Sequence, residues 1–306
     1  MSDMLPSPPV IDAHQHVWDL DRGRYAWLTD EMSPIDRTMT EDEVLPQLHR
    51  AGIGGVVLVQ AADEAADTEL MLDVADRYPQ VVGVVAYVPL EQPEQVGAQL
   101  EQLAVRSVVV GVRNLIHTRP DPDFLLRPAV AESLDLIAAA GFAFDVVSAL
   151  PRHLELVPLL SEAHPELRLV VDHLSRPPIG QAEVEPWWSL IARAAASPQV
   201  SAKVSGLYPD ADRMAWSTEL VRPFVERALE VFGPERLMYG GDWPISVLAG
   251  GYQRVWDGLR PFFDALDAPE RTEVLGGTAR RIYRLDADRL AAAAGSWPGP
   301  DAGRDA

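Results

Sequence analysis

Val10-Ile11-Asp12-Ala13-His14-Gln15-His16 is the stretch that decides how the rest of the chain is read. In a strand, alternate side chains share a face, so His14 and His16 point the same way with roughly 6.5–7 Å of backbone between them. That spacing lets two imidazoles grip one metal ion or one polarised oxygen. The same alternation puts Asp12 on that face, one step deeper. A plainer reading exists, a terminal strand whose histidines are satisfied by hydrogen bonds. The functional reading gains from a second apolar run far downstream, Leu237-Met238-Tyr239-Gly240-Gly241-Asp242-Trp243-Pro244, which also ends in a carboxylate.

Between these stretches apolar runs alternate with helical patterns. Thr40-Glu41-Asp42-Glu43 reads as an N-cap with an acidic first turn, opening a helix that ends near Gly52. Apolar strands are expected at Ile53–Gln60, Val81–Val88, Ser107–Arg113, Phe142–Val147, Leu167–His173, Val200–Gly206 and Leu237–Asp242. Helices are expected at Glu64–Tyr78, Glu94–Ala104, Pro128–Ala140, Pro151–His164, Trp187–Ala196, Thr218–Phe232, Tyr252–Leu266 and Pro269–Tyr283, with Gly141 as a C-cap. Counted from Val10, this is eight strands alternating with helices, near-continuously apolar as strands covered on both faces are. The pattern predicts an α/β fold, a TIM-type (β/α)8 barrel, as a single domain over residues 10–290. A doubly wound open sheet is the alternative, but no glycine-rich phosphate loop follows the first strand. Residues 1–9 read as a Pro-rich arm and 291–306, rich in Ala, Gly and Pro, as a flexible tail. The loop from Trp18 to about Met39 is long enough to expect a function of it. Its Tyr25-Ala26-Trp27-Leu28 can cover a pocket or plug the barrel's flank.

Bulk properties exclude several classes. The formal net charge is −20, so a nucleic-acid partner is not expected, because phosphate contacts need basic patches. Cysteine is absent, which removes disulfides, thiolate ligands and thiol catalysis together. No apolar run approaches membrane-spanning length, and Met1 to Pro9 lacks the basic region and apolar core of a signal peptide. A cytoplasmic protein with no membrane partner is expected.

In such barrels the active site lies at the C-terminal ends of the strands. Those ends offer His14 and His16, then Arg113, Asp145, His173, Lys203 with Ser205, and Asp242. One polar residue at a strand end is noise; six ends feeding one mouth is the pattern of a catalytic site. His117 in a loop and His49, His153 and His164 in helices read as surface or helix-capping residues.

The ordered set of motifs resembles the amidohydrolase superfamily, and within it the amidohydrolase-2 branch that holds sugar-acid and dicarboxylate lactonases. The likeness runs from about Ile11 to Leu285. It rests on Ile11-Asp12-Ala13-His14-Gln15-His16-Val17-Trp18-Asp19, Tyr25-Ala26-Trp27-Leu28, Gly111-Val112-Arg113, and Asp121-Pro122-Asp123 with Leu126-Arg127-Pro128. Val171-Asp172-His173-Leu174 with Pro177, Lys203-Val204-Ser205-Gly206-Leu207, Tyr239-Gly240-Gly241-Asp242-Trp243-Pro244 and Gly276-Gly277-Thr278-Ala279-Arg280 complete it. Asn114 departs from the pattern, since the lactonases more often carry a histidine after the arginine, and this bears on substrate choice. Binuclear members of the superfamily also carry a bridging lysine and two middle-strand histidines, whereas His173 alone fits that place here.

The resemblance implies a hydrolase that opens a small lactone, a small-molecule substrate and no macromolecular one. Asp242 is expected to act as general base towards water, because Cys is absent and Ser205 lies in no nucleophile elbow. His14, His16 and His173 with Asp242 can hold one divalent ion such as zinc. Lactonases of the branch include members that work without metal, the three imidazoles then hydrogen-bonding the carbonyl. Turnover with no required cofactor is the preferred expectation. Arg113, Asn114, Lys203, Trp18 and Trp243 are the expected substrate contacts. For Arg113 the other reading is an ion pair with Asp145 or Asp172, for Lys203 a buried pair, and for the tryptophans core packing. The rival functions are a metal-dependent decarboxylase of the same family and a non-catalytic barrel that binds sugar acids. A homodimer suits the architecture.

Overall fold

The computed structural model describes residues 9–297. Eight parallel strands follow one another round a barrel: β1 (Val10–Gln15), β2 (Ile53–Val59), β3 (Val81–Ala86), β4 (Val109–Asn114), β5 (Ala143–Val146), β6 (Arg168–Val171), β7 (Val200–Val204) and β8 (Leu237–Tyr239). Past its end β8 meets β1 again. The Asp242 amide donates to the His14 carbonyl at 2.8 Å, and the His16 amide to the Trp243 carbonyl at 2.7 Å. The two stretches singled out in the sequence are therefore hydrogen-bonded neighbours at the barrel's seam.

The helices between strands are α1 (Glu41–Ala51), α2 (Ala65–Arg77), α3 (Pro93–Ala104), α4 (Pro128–Ala139), α5 (Pro151–Ala163), α6 (Trp187–Ala195) and α7 (Thr218–Phe232). After β8 come α8 (Tyr252–Asp264), α9 (Ala268–Thr272), α10 (Thr278–Tyr283) and α11 (Ala287–Ser296). Their ends follow local chemistry. Thr40 and Glu43 form a capping box at α1, which closes on the left-handed Gly52. Proline occupies the first turn of α3, α4 and α5, where its missing N–H costs nothing.

Two apolar layers hold the barrel. The larger lies between strands and helices. The smaller fills the interior, where Ile11, Ala13, Val57, Val85, Val110 and Met238 meet Tyr283 and Ala293 from the last two helices and Leu285 from the link between them. The chain's end thus closes the N-terminal mouth and leaves the other mouth for chemistry. Among the described residues no helix is long and apolar enough to cross a membrane.

Three expectations change. Residues 291–296 continue α11 instead of starting a flexible tail: Asp286 caps the helix by accepting from the Arg289 amide at 2.9 Å, and Ala293 is buried. Alanine, counted with Gly and Pro as a sign of flexibility, is the best helix former. Residues 298–306 and the arm over 1–8 lie outside the described residues. The helix expected from Pro269 to Tyr283 is interrupted between α9 and α10 by a π-helical segment over Glu273–Gly277, kinked at Gly276. Strands β6 and β8 stop at Val171 and Tyr239, so neither His173 nor Asp242 stands on a strand.

Candidate active site

The end of β1 departs from strict alternation. Its pairing with β2 runs Asp12 to Val56 and Gln15 to Leu58, three steps against two, so one extra residue bulges there. The bulge reverses which side chains face inward. Ile11 and Ala13 pack in the barrel interior, and beyond the bulge His14 and His16 turn to the site while Gln15 turns out to Glu41 on α1. Asp12 is therefore not on the histidines' face. Its carboxylate accepts from the Gly241 and His14 amides at 2.8 and 3.0 Å and from the Tyr252 hydroxyl at 2.9 Å. It clamps the seam, and burial pushes its pKa up to about 6.

His173 arrives by a different device. After β6 the chain takes four successive left-handed residues, His173 to Arg176, with φ between 49° and 60°. That conformation is costly for residues with a Cβ and marks positions that the surroundings hold in place. It swings the His173 ring to 4.4 Å from His14, with Nδ1 2.9 Å from Ser205 Oγ.

Three electron-pair donors converge. His14 Nε2 lies 3.1 Å from His16 Nε2 and 3.7 Å from Asp242 Oδ1, and His16 Nε2 lies 3.5 Å from Asp242 Oδ1. Ligand atoms about 2.0–2.2 Å from a tetrahedral zinc ion sit about 3.3–3.6 Å apart. The triangle thus fits a single divalent ion held by His14, His16 and Asp242. His173 belongs to a second grouping, with His14 and Asp172, and not to this one.

Behind the triangle lies a buried ionic network. Lys203 Nζ is 2.6 Å from Asp145 Oδ2, 3.0 Å from Asp172 Oδ1 and 3.1 Å from His14 Nδ1. Arg113 donates to Asp172 at 2.8 Å and to the Gln60 carbonyl. Two cations and two carboxylates balance. Burial opposes the charge of Asp172, but Lys203, His14 and Arg113 outweigh it and hold this carboxyl well below its usual range. His14 is held well below the usual histidine value by burial first and then by Lys203.

In front is a cavity of about 180 Å³, with His16, Arg113, His173 and Asp242 on its polar side and Trp27, Leu115, Val147, Ile179 and Ile245 on its apolar side. Four expected substrate contacts do not line it. Trp18 is fully buried, with its indole N–H on the Arg37 carbonyl at 2.6 Å, and Trp243 is likewise core. Asn114 donates to the Val88 carbonyl at 3.0 Å, and Lys203 is locked in the network. Arg113 reaches the cavity, yet its guanidinium also makes the ion pair with Asp172.

A family model described as amidohydrolase (Amidohydro_2) matches residues 11–285. This chain belongs to that family. It is 33% identical to L-fucono-1,5-lactonase from Burkholderia ambifaria, over 90% of this chain and 96% of that one. The protein of the same name from Burkholderia multivorans is 29% identical over 90% and 96%. A crystal structure of an amidohydrolase from Burkholderia multivorans with bound zinc superposes with a TM-score of 0.82 at 28% identity, covering 91% of this chain and all of that one. The donor triangle has the dimensions of a site for one divalent ion. The preference for turnover without a cofactor draws no support from it.

Several cavity residues of this amidohydrolase escaped sequence reasoning. His117, read as a surface loop residue, lines the cavity from a turn over Ile116–Thr118, and burial with Arg113 and Arg176 nearby takes its pKa down to about 4. Arg176, Tyr208 and Arg213 line it too. None stands on a strand end. The one signal available was the loop Tyr25-Ala26-Trp27-Leu28, of which Trp27 faces the cavity while Tyr25 binds Asp67 at 2.8 Å.

Proposed function

We propose that this amidohydrolase opens a small sugar-acid lactone by attack of water. The observation that carries the reading is the convergence of His14, His16 and Asp242 within 3.1–3.7 Å, with His16 and Asp242 lining a small, half-apolar cavity. The substrate class comes from the L-fucono-1,5-lactonase likeness.

The residues divide the work as follows. His16 Nδ1 faces the Val59 carbonyl at 2.7 Å, and a carbonyl only accepts. In the neutral ring that nitrogen carries the proton, so Nε2 accepts and cannot donate to a carbonyl. Asp242, whose side chain lines the cavity, presents its carboxylate as the acceptor to one water molecule. His173 Nδ1 lies 2.9 Å from Ser205 Oγ; in the tautomer in which that hydroxyl donates to Nδ1, His173 turns an N–H towards the cavity to bind the lactone carbonyl and the oxyanion that develops from it. Asp242 takes a proton from the attacking water. When the acyl–oxygen bond of the tetrahedral intermediate breaks, Asp242 returns that proton to the departing alkoxide. The product is one open-chain hydroxy acid, which releases a proton at neutral pH. A divalent ion held by His14, His16 and Asp242 supplies, when bound, further polarisation of the carbonyl. Turnover is assigned to the chain's own groups.

The test is proton release from a panel of five- and six-membered sugar-acid lactones, using exhaustively chelated protein with and without added zinc. Steady acid production by the chelated protein is expected. Silence with zinc present and absent would remove the lactonase reading, and activity only with zinc would move the three side chains to obligatory metal ligation.

A further inference from the structure

His14 lies between two buried groups that place opposite demands on its ring. Lys203 Nζ stands 3.1 Å from Nδ1, and Asp172 Oδ1 stands 3.3 Å from the same atom. An ammonium only donates, so towards Lys203 this nitrogen must accept, and the neutral ring then keeps its proton on Nε2. A carboxylate only accepts, so towards Asp172 it must donate, leaving the lone pair on Nε2. The remaining contacts decide between them. Lys203 donates to Asp145 Oδ2 at 2.6 Å and points a second proton at His14 Nδ1 at 3.1 Å, whereas its 3.0 Å approach to Asp172 Oδ1 is an ion pair without hydrogen-bond alignment. Across the ring, His14 Nε2 is 3.1 Å from His16 Nε2, which accepts because His16 Nδ1 donates to Val59. Arg113 Nη1, a donor, also stands 3.5 Å from His14 Nε2, but the contact to His16 at 3.1 Å is the shorter, and together with Lys203 on the other side of the ring it places the proton on Nε2.

We propose that Lys203 is a positioning residue that fixes His14 as its Nε2–H tautomer and so sets how weakly the His14–His16–Asp242 triangle takes a divalent cation. A ring with its proton on Nε2 has no lone pair to offer there. Loading a cation breaks that N–H and forms one at Nδ1, which then faces Asp172. No proton leaves the site, and the contact from Lys203 is lost. The consequence is a histidine–carboxylate cluster of suitable dimensions that its own buried lysine holds against the metal. This inference is independent of the substrate, so failure of the lactone assay leaves it standing.

The experiment reads the tautomer and the cation directly. In protein labelled with ¹⁵N-histidine and stripped by chelation, the His14 ring signals should report protonated Nε2 and unprotonated Nδ1. Lys203→Met with Asp145→Asn removes the ion pair as a unit and keeps the buried charge balanced. In that variant His14 should change to the Nδ1–H form, and cobalt affinity, measured by competition with a chromophoric chelator, should rise about 10–100-fold, the range over which partners of metal-binding histidines act. A wild-type His14 protonated on Nδ1 would overturn the proposal. So would a folded double variant with unchanged cobalt affinity. If the variant does not fold, the wild-type ring signals decide alone.

Discussion

A Cβ placed on Gly206 would sit 2.2 Å from His173 Nδ1, and Gly206 itself holds φ of 57°, in the left-handed region. The residue is glycine because the His173 ring occupies the space that a methyl group would need. Gly206→Ala should leave the barrel folded but displace His173, lowering kcat about 10–100-fold, as small misplacements of catalytic groups do; an unchanged kcat would mean that His173 has room to spare. Gly240 makes the matching allowance for His14, whose Cβ a side chain there would meet at 2.6 Å. Asp242→Asn should cost about 10²–10⁴ in kcat with KM little altered, since it removes the proton acceptor and keeps the shape. At this scale the sequence was legible where chemistry and spacing coincide. The pair His14 and His16 and the distant Asp242 were all visible, because each is a polar residue ending an apolar run. Trp18, Asn114, Lys203 and Trp243 were also expected as contacts, with core packing the other reading for the tryptophans and a buried pair for Lys203; each is in fact turned away or locked by a backbone carbonyl, an ion pair or core packing.

The barrel's elements were readable from their apolar runs, because strands covered on both faces must be apolar throughout. The exceptions were not. One extra residue in β1 reversed the facing of Asp12, and four left-handed residues after β6 delivered His173. Both are departures in backbone geometry, which side-chain periodicity does not encode. The bulge has an energetic consequence of its own. It sends Gln15 out to Glu41, fully buried at the start of α1, whose pKa burial pushes up to about 8 from 4.5. A carboxyl with a raised folded-state pKa contributes most stability below about pH 4.5 and loses it progressively as pH rises towards 8. Glu41→Gln, which keeps the contact to Gln15 without an ionisable group, should therefore raise stability at pH 7–8 by ~2–4 kcal/mol, as an order of magnitude. The gain should vanish near pH 4. Denaturant melts across that range would show it, and a variant less stable than wild type at pH 8 would contradict the assignment.

As a whole the molecule separates stability from chemistry along the barrel axis. Tyr283, Leu285 and Ala293 close one end, the buried Asp145–Lys203–Asp172–Arg113 network fills the middle, and the cavity opens at the other. Truncation before Ala287 should thus uncover the closed end and lower Tm by about 5 °C or more, at roughly 2–4 °C for each kcal/mol lost, while KM changes little. A matching loss of substrate affinity would show that the ends are coupled. In the proposed reaction water, activated by Asp242, attacks the carbonyl of a lactone. Single-turnover hydrolysis of a sugar-acid lactone in ¹⁸O-water tests it most directly. One labelled oxygen should appear in the product carboxylate and none in the new hydroxyl, with Asp242→Asn giving no product on the same timescale. Label in the hydroxyl, or undiminished turnover by the variant, would contradict it.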